Sequence, residues 1–417
     1  MNVRLHRRGF AAGRAFILVV AASVIFAAVY VWLDVNKLHA LRAGSNTGSY
    51  LQAALNFLRA GTTFDYGDWR PETAQHDQWL MLLLVPFVAV WGEPETVVAV
   101  QVAAIALAAP LLYAAARCFG ASDGAAAAVS IAYLLSPSVQ GFAYGDFVPL
   151  VFVPALACVL SIFAYRKQLA GTLVCTQLLT GAKEDVALFL IWFGAAAAVW
   201  FDRRAGTAIA ILASVNVAAY ALAQHFTGAS VVHPAYALRD PNVLKQLAFF
   251  AEILAPFAFA PLALGARILL AAPLAAELML AQRWPFPLYQ AGAYYTIPLV
   301  TLVALSAAYV AARVPRWAAF MPAAAAVMAL GFNTTVLHFG RHPFARDPQY
   351  GVAAAWARSG EPVVFPCEDQ GAWVVASPDV RAKLSGCSPE SPLARTRPAW
   401  SDAPLNSSAP WTRGPRV

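Results

Sequence analysis

The chain has 417 residues; 60% belong to the hydrophobic set and only 12% are charged. A soluble domain carries about 25% charged residues, so the composition excludes an ordinary globular protein and points to an all-α polytopic membrane protein. The formal net charge of +7 does not indicate nucleic-acid binding, because the basic residues sit in short clusters beside apolar runs, where they set orientation in a bilayer.

The N-terminus, "MNVRLHRRGFAAGRAF", carries Arg4, Arg7, Arg8 and Arg14 ahead of an apolar run at 16–33. That run is longer than the ~7–15 residues of a signal-peptide core, and no small-residue cleavage site follows it. It reads as an uncleaved first span with its N-terminus in the cytoplasm. A first outer loop, 34–96, comes next. Within it "SYLQAALNFLRAG" predicts a short amphipathic helix. Ser49 and Gln52 have capping-box spacing. Leu51, Ala54, Leu55 and Leu58 share a face, and Gly61 is a natural stop. Such a helix lies flat at the membrane interface or covers a loop surface. The run "WLMLLLVPFVAVW" at 79–91 gives roughly 20 Å of helix against ~30 Å of hydrocarbon, so it reads as a juxtamembrane helix.

Further apolar runs fall at about 97–116, 124–143, 147–165, 169–182, 186–201, 205–226, 247–265, 268–281, 293–312 and 317–332. If 79–91 does not cross, Arg117, Arg166, Lys167, Arg203, Arg204, Arg267, Arg313 and Arg316 all lie inside. Only Lys183, Arg239, Lys245 and Arg283 then lie in the outer loops after residue 140. If 79–91 crosses, the two sets swap. The positive-inside rule favours the first arrangement: about eleven spans in the cell (inner) membrane, C-terminus outside.

That topology explains "LLTGAKEDVALFL". Three charges inside a span would each cost at least ~2.5–3.5 kcal/mol at the membrane centre, so Lys183, Glu184 and Asp185 are expected in a tight outer turn. Asp146 in "AYGDFVP" joins them, with His233, Arg239, Asp240 and the aromatic loop "RWPFPLYQAGAYYTIP". The transmembrane domain is expected over 1–332. The remainder, 333–417, is a short polar segment. Its "EPVVFPCEDQGAWVV" suits one or two strands, and its Pro- and Ser-rich end suits disorder. Cys118, Cys158 and Cys175 are packing residues; Cys367 and Cys387 pair if they lie outside the membrane. No CxxC or His/Cys metal pattern occurs.

Several of these stretches resemble a family of predicted bacterial membrane proteins of unknown function placed in the GT-C glycosyltransferase clan. "AKEDVAL" is similar to the family's Lys-Glu-Asp motif. "GSYLQAALNFLRAG", with Gly48 and Gln52, resembles its first outer helix. "QHDQWLMLLLVPFVAVWGEPETVVAVQ" resembles the next segment, His76 matching a histidine ahead of the juxtamembrane helix. "ARCFGASDGAAAAVSIAYLLSPSVQGFAYGDFVPLVFVPAL" resembles the two following spans and the acidic turn, and "YYTIPLV" a Tyr-rich start to a late span. The likeness spans roughly 40–330. It also departs from the family: Asn46 stands for a usual Asp, Leu51 for a second acid, and "YGDFVP" for a Phe-Asp-Phe-His-Pro-Glu pattern.

The resemblance implies an enzyme that takes a sugar from a polyprenyl-phosphate donor at the outer membrane face, for an unknown acceptor. A carboxylate must accept the acceptor's proton, and positive charge must meet the departing lipid phosphate. The carboxylate candidates are Asp34, Asp146, Glu184 and Asp185. A family aspartate in the first outer loop usually serves as base; with Asn46 there, that role falls to Asp34 or Asp65, or is lost. Candidate substrate contacts are Asn46, Gln52, His76, Lys183, Arg239, Arg283, Tyr294 and Tyr295. His76, beside Asp77, offers a proton carrier or metal ligand. A divalent metal is possible, but no spacing demands one. The plainer readings are solvated loop ends for the charges and an interfacial belt for the aromatics. The alternative functions are a transporter or lipid-carrier handler without catalysis, and a non-catalytic subunit of cell-envelope assembly.

Overall fold

The computed structural model describes residues 13–39, 45–61, 76–227, 236–238, 242–283, 286–287 and 291–332. Helix α1, Arg14–His39, carries the first apolar run and continues well past its end. Helix α2, Ser45–Ala60, starts four residues before the expected cap at Ser49 and stops at Gly61, whose φ is +61°. Leu51, Ala54 and Leu55 are buried, while Leu58 is exposed. The expected juxtamembrane helix is two short pieces, a 3₁₀ turn at Trp79–Leu83 and α3 at Val85–Val90. Pro86 stands in the first turn of α3, where its missing N–H costs nothing. Leu80, Met81 and Leu84 are fully buried beneath it.

Helices then follow at every remaining apolar run. They are α4 (Pro94–Phe119), α5 (Asp123–Leu135), α6 (Pro137–Tyr144), α7 (Val153–Tyr165), α8 (Leu169–Thr180), α9 (Glu184–Trp200) and α10 (Arg203–Thr227). After these come α11 (Val243–Leu254), an irregular 3₁₀ stretch at Ala260–Ala271, α12 (Ala272–Leu280), α13 (Ile297–Ala311) and α14 (Pro315–Phe332). Among the described residues five helical stretches are long and apolar enough to cross a membrane, or six if the bent pair of α5 and α6 is one span.

The bend has a local cause. Pro137 carries no N–H and its ring collides with the preceding turn. The two helices therefore meet at 52°. Gln140 Nε2 reaches back to the carbonyls of Leu134 and Leu135, each at 3.3 Å, and supplies donors that the break removed. The hairpin of α9 and α10 is closed by small residues. A Cβ on Gly194 would lie 2.5 Å from the backbone N of Ala210, and one on Gly206 would lie 2.2 Å from that of Ala198.

The helix ends collect into two layers. At one end Lys37 meets the 144–146 turn, His39 meets Glu95, and His76 meets Glu184. At the other, Arg117 pairs with Asp123 and Lys167 with Asp202, and Phe119, Phe201 and Tyr309 pack ring against ring. A small three-stranded antiparallel patch departs from the expected all-helical chain. It joins β1 (Tyr236–Leu238), β2 (Ala281–Arg283) and β3 (Phe286–Pro287), with Tyr236 opposite Arg283. It ties together the two loops in which Arg239 and Arg283 were expected. The strands and disulfide expected in 333–417 lie outside the described residues.

Candidate functional site

The polar end holds two linked charge clusters. The first surrounds Lys37, on the extension of α1. Its ammonium lies 2.6 Å from Asp34 Oδ1 and 4.0 Å from Asp146 Oδ1. It also donates to the carbonyls of Tyr144, at 2.6 Å, and Gly145, at 3.2 Å. Gln101, from α4, donates to the carbonyls of Phe142 and Gly145, each at 2.9 Å. Asp34 and Asp146 are thus brought together through a lysine that the sequence reading left without a role. Asp34 is 1% exposed, so its carboxylate is committed to this pair.

The second cluster surrounds the turn into α9. Gly181 is required there: any Cβ would meet the Trp79 ring at 2.1 Å. That close approach lets Leu80 N donate to Gly181 O at 2.8 Å. The 76–80 segment is therefore laid against the turn. His76 Nδ1 lies 2.9 Å from Glu184 Oε1, and the Asp77 N–H donates to Glu184 Oε2 at 3.3 Å. Burial would raise the Glu184 carboxyl, but the hydrogen bond and charge of His76, with Lys183 beside it, outweigh burial and hold it at about 2. Asp77 has the opposite balance. Burial, reinforced by the charge of Glu184, pushes it up to about 6.

Lys183, 5% exposed, donates to Asp185 Oδ2 at 2.5 Å and stands 5.3 Å from the Tyr295 ring centre. Asp185 Oδ1 accepts from the N–H of Val186 at 2.8 Å. Tyr294 and Tyr295 share a hydroxyl hydrogen bond of 2.6 Å. Glu277, from α12, comes within range of the Asp185 charge. Glu277 was missed, although it is the single acid in the apolar run 268–281, where an ionisable residue is a functional signal by default. Lys37 could have been found from its three-residue spacing to Asp34, had α1 been read past residue 33.

The clusters are joined by packing. The Tyr50 hydroxyl donates to Gln78 Oε1, and its ring meets Phe147, the neighbour of Asp146, edge-on at 5.3 Å. Asn46 lies in the first turns of α2 and is partly buried. The side chains of Gln52 and Arg283, and all of Asp65, His233, Arg239, Asp240 and Trp284, lie outside the described residues. Among the described residues no group of three or more His, Cys, Asp or Glu gathers to hold a metal ion.

The fold resembles the GT-C fold of the solved structure of ArnT from Cupriavidus metallidurans bound to undecaprenyl phosphate. The chain is similar to it at a TM-score of 0.53 and 16% identity, over 82% of this chain and 69% of that one. The family resemblance also stands: residues 45–236 match the family of predicted membrane proteins DUF2079. The match is shorter than the 40–330 read from sequence, but it contains both the 144–146 and the 183–185 turns. No curated protein matches the chain.

Proposed function

We propose that the protein is a GT-C-type glycosyltransferase of the inner membrane, with its N-terminus in the cytoplasm, its C-terminus outside and its site on the outer face. The donor is a polyprenyl-phosphate sugar. The observation that carries this reading is the second cluster, in which a half-buried acid, Asp77, that meets no cation among the described residues shares Glu184 with a lysine that faces Tyr295. The acceptor hydroxyl oxygen bonds to the anomeric carbon, the bond from that carbon to the carrier phosphate breaks, and the phosphate leaves with the electron pair. Asp77 takes the hydroxyl proton. Lys183, with donor hydrogens left after Asp185 takes one, meets the leaving phosphate. Tyr294 and Tyr295 stack on the sugar or flank the prenyl chain. Glu184 and His76 position the Asp77 segment. Asp34 and Asp146, spoken for by Lys37, position the end of α1 against the acidic turn.

The test is sugar transfer from a polyprenyl-phosphate donor by the purified full-length protein. A base works ionised, so the rate should rise with pH up to about 6 and level off above it. Asp77→Asn should lower kcat by about 10²–10⁴-fold and remove the rising limb. An Asp77→Asn protein that keeps parental turnover removes Asp77 from the reaction. Loss of transfer in Asp185→Ala but not in Asp77→Asn moves the base to the Asp185 and Glu277 pair.

A further inference from the structure

At the end of the bundle opposite the candidate site, two arginines share one tyrosine. Arg267 Nη1 donates to the Tyr309 hydroxyl at 3.4 Å and its guanidinium stands 5.5 Å from the Phe201 ring centre. Arg313 lies 3.3 Å from the centre of the Tyr309 ring and donates to the Tyr309 carbonyl at 3.0 Å. Like charges drawn to one ring repel each other unless an anion lies between them. Among the described residues neither arginine pairs with a carboxylate. The adjacent acid, Asp202, is already engaged by Lys167 at 3.5 Å and by the N–H of Ala205 at 2.9 Å.

Arg267 also lines a groove of about 240 Å³ between α11, the 260–271 stretch, α12 and α13. Apart from Ser306 the other walls are apolar, with Phe250, Ile253, Leu269, Leu299 and Leu302 among them, and Arg267 is the one charged residue of the lining. The backbone beside it is irregular: Ala258, Phe259 and Gly265 all have φ between +50° and +58°. Non-helical backbone facing lipid is tolerated at headgroup depth, where its polar groups find partners, and not in the hydrocarbon. Arg267 lies at the arginine-rich end of the bundle, beside Phe201 and Tyr309, and the groove runs from it along α12 and α13.

We propose that this groove binds an anionic phospholipid, one hydrocarbon chain lying along the apolar walls and the phosphate seated between Arg267 and Arg313. The charge complement decides the occupant. The Arg267 guanidinium in the lining, with Arg313 on the same Tyr309 and neither paired with a carboxylate among the described residues, matches a headgroup of net negative charge, not a zwitterionic one, and Arg suits phosphate by its planar fork of donors. This site faces the opposite membrane leaflet from the candidate catalytic end and does not depend on the activity proposed there.

The experiment is native mass spectrometry of the full-length protein in mild detergent. The probes are phosphatidylglycerol and, with identical chains, phosphatidylcholine. Parent protein should retain one phosphatidylglycerol in preference to phosphatidylcholine. Arg267→Gln should weaken that retention by about fivefold or more, since each surface arginine contributes about 1 kcal/mol toward an anionic lipid. Arg316→Gln, an exposed arginine at the same end, should leave it unchanged. Leu269→Trp, at a half-exposed wall position where a larger ring does not enter the core, should also displace the lipid, and keeps the test open if Arg267→Gln fails to fold. Equal retention of the two lipids by the parent, or equal loss in Arg316→Gln, would overturn the site in favour of a general basic surface.

Discussion

Lys37 stands 2.6 Å from Asp34 within a buried pair, and such a pair is asymmetric in its energetics. Breaking it by removing one partner leaves an uncompensated buried charge, which typically destabilises by about 3–5 kcal/mol, whereas replacing both partners is often neutral. Lys37→Met should therefore lower the thermal midpoint of the detergent-solubilised protein sharply, and adding Asp34→Asn should restore most of it. A single Lys37→Met that melts with the parent would mean that Asp34 is not held by this pair. The same residues mark how far the sequence could be read. Asp34, Asp146, Glu184 and Asp185 were legible as polar residues at run ends. Their partners were not, because Lys37 belongs to a helix that continues past its apolar run and Glu277 arrives from a helix nearly a hundred residues away in sequence. Pairing across such a distance is a property of packing that no local pattern carries.

The helical elements were legible almost throughout, because a bilayer leaves the backbone no alternative to the helix and the apolar runs therefore mark it directly. What the runs hid was the interruption inside several of them, of which the one at Pro137 has the plainest cause. The 124–143 run reads as one span, yet Pro137 divides it into α5 and α6, and the run stays apolar through the break. The small β patch escaped for a different reason: its strands have only three, three and two residues, too few for an alternating pattern. The break gives a prediction at this scale. Gln140 Nε2 is the side-chain donor that reaches the carbonyls of Leu134 and Leu135. Gln140→Leu keeps the volume but removes both hydrogen bonds. It should lower stability by about 1–3 kcal/mol, the cost of leaving a buried acceptor unsatisfied, read as an earlier midpoint in SDS-induced unfolding. An unchanged midpoint would show that the carbonyls are satisfied by other means and that the bend is set by Pro137 alone.

The whole molecule sorts its helix ends by chemistry. The His39 and Glu95 pair, the His76 and Glu184 pair and the Lys183 turn share one end, and Arg117, Lys167, Arg203, Arg267 and Arg313 share the other. Helix α8, with only 12 residues, runs from the Lys167 and Asp202 end to the Gly181 turn beside Leu80. Positive charge near span ends is retained on the cytoplasmic side, so the arginine-rich end should face the cytoplasm and the acid-rich end the outside. The consequence is chemical, since both proposed reacting groups, Asp77 and Lys183, lie at the same end. Single cysteines test it in a chain whose five native cysteines have been replaced. Glu93→Cys reports the acid-rich end without touching Asp77, Glu184 or Lys183, and Lys167→Cys, whose parent side chain is 77% exposed, reports the other. A thiol reagent that cannot cross the membrane should label residue 93 in intact cells and residue 167 only after permeabilisation. The reverse pattern would put the acid-rich end in the cytoplasm, against the charge asymmetry of the whole chain. A donor presented at the outer leaflet could not then reach Lys183, and the polyprenyl-phosphate reading would fall while the fold stood.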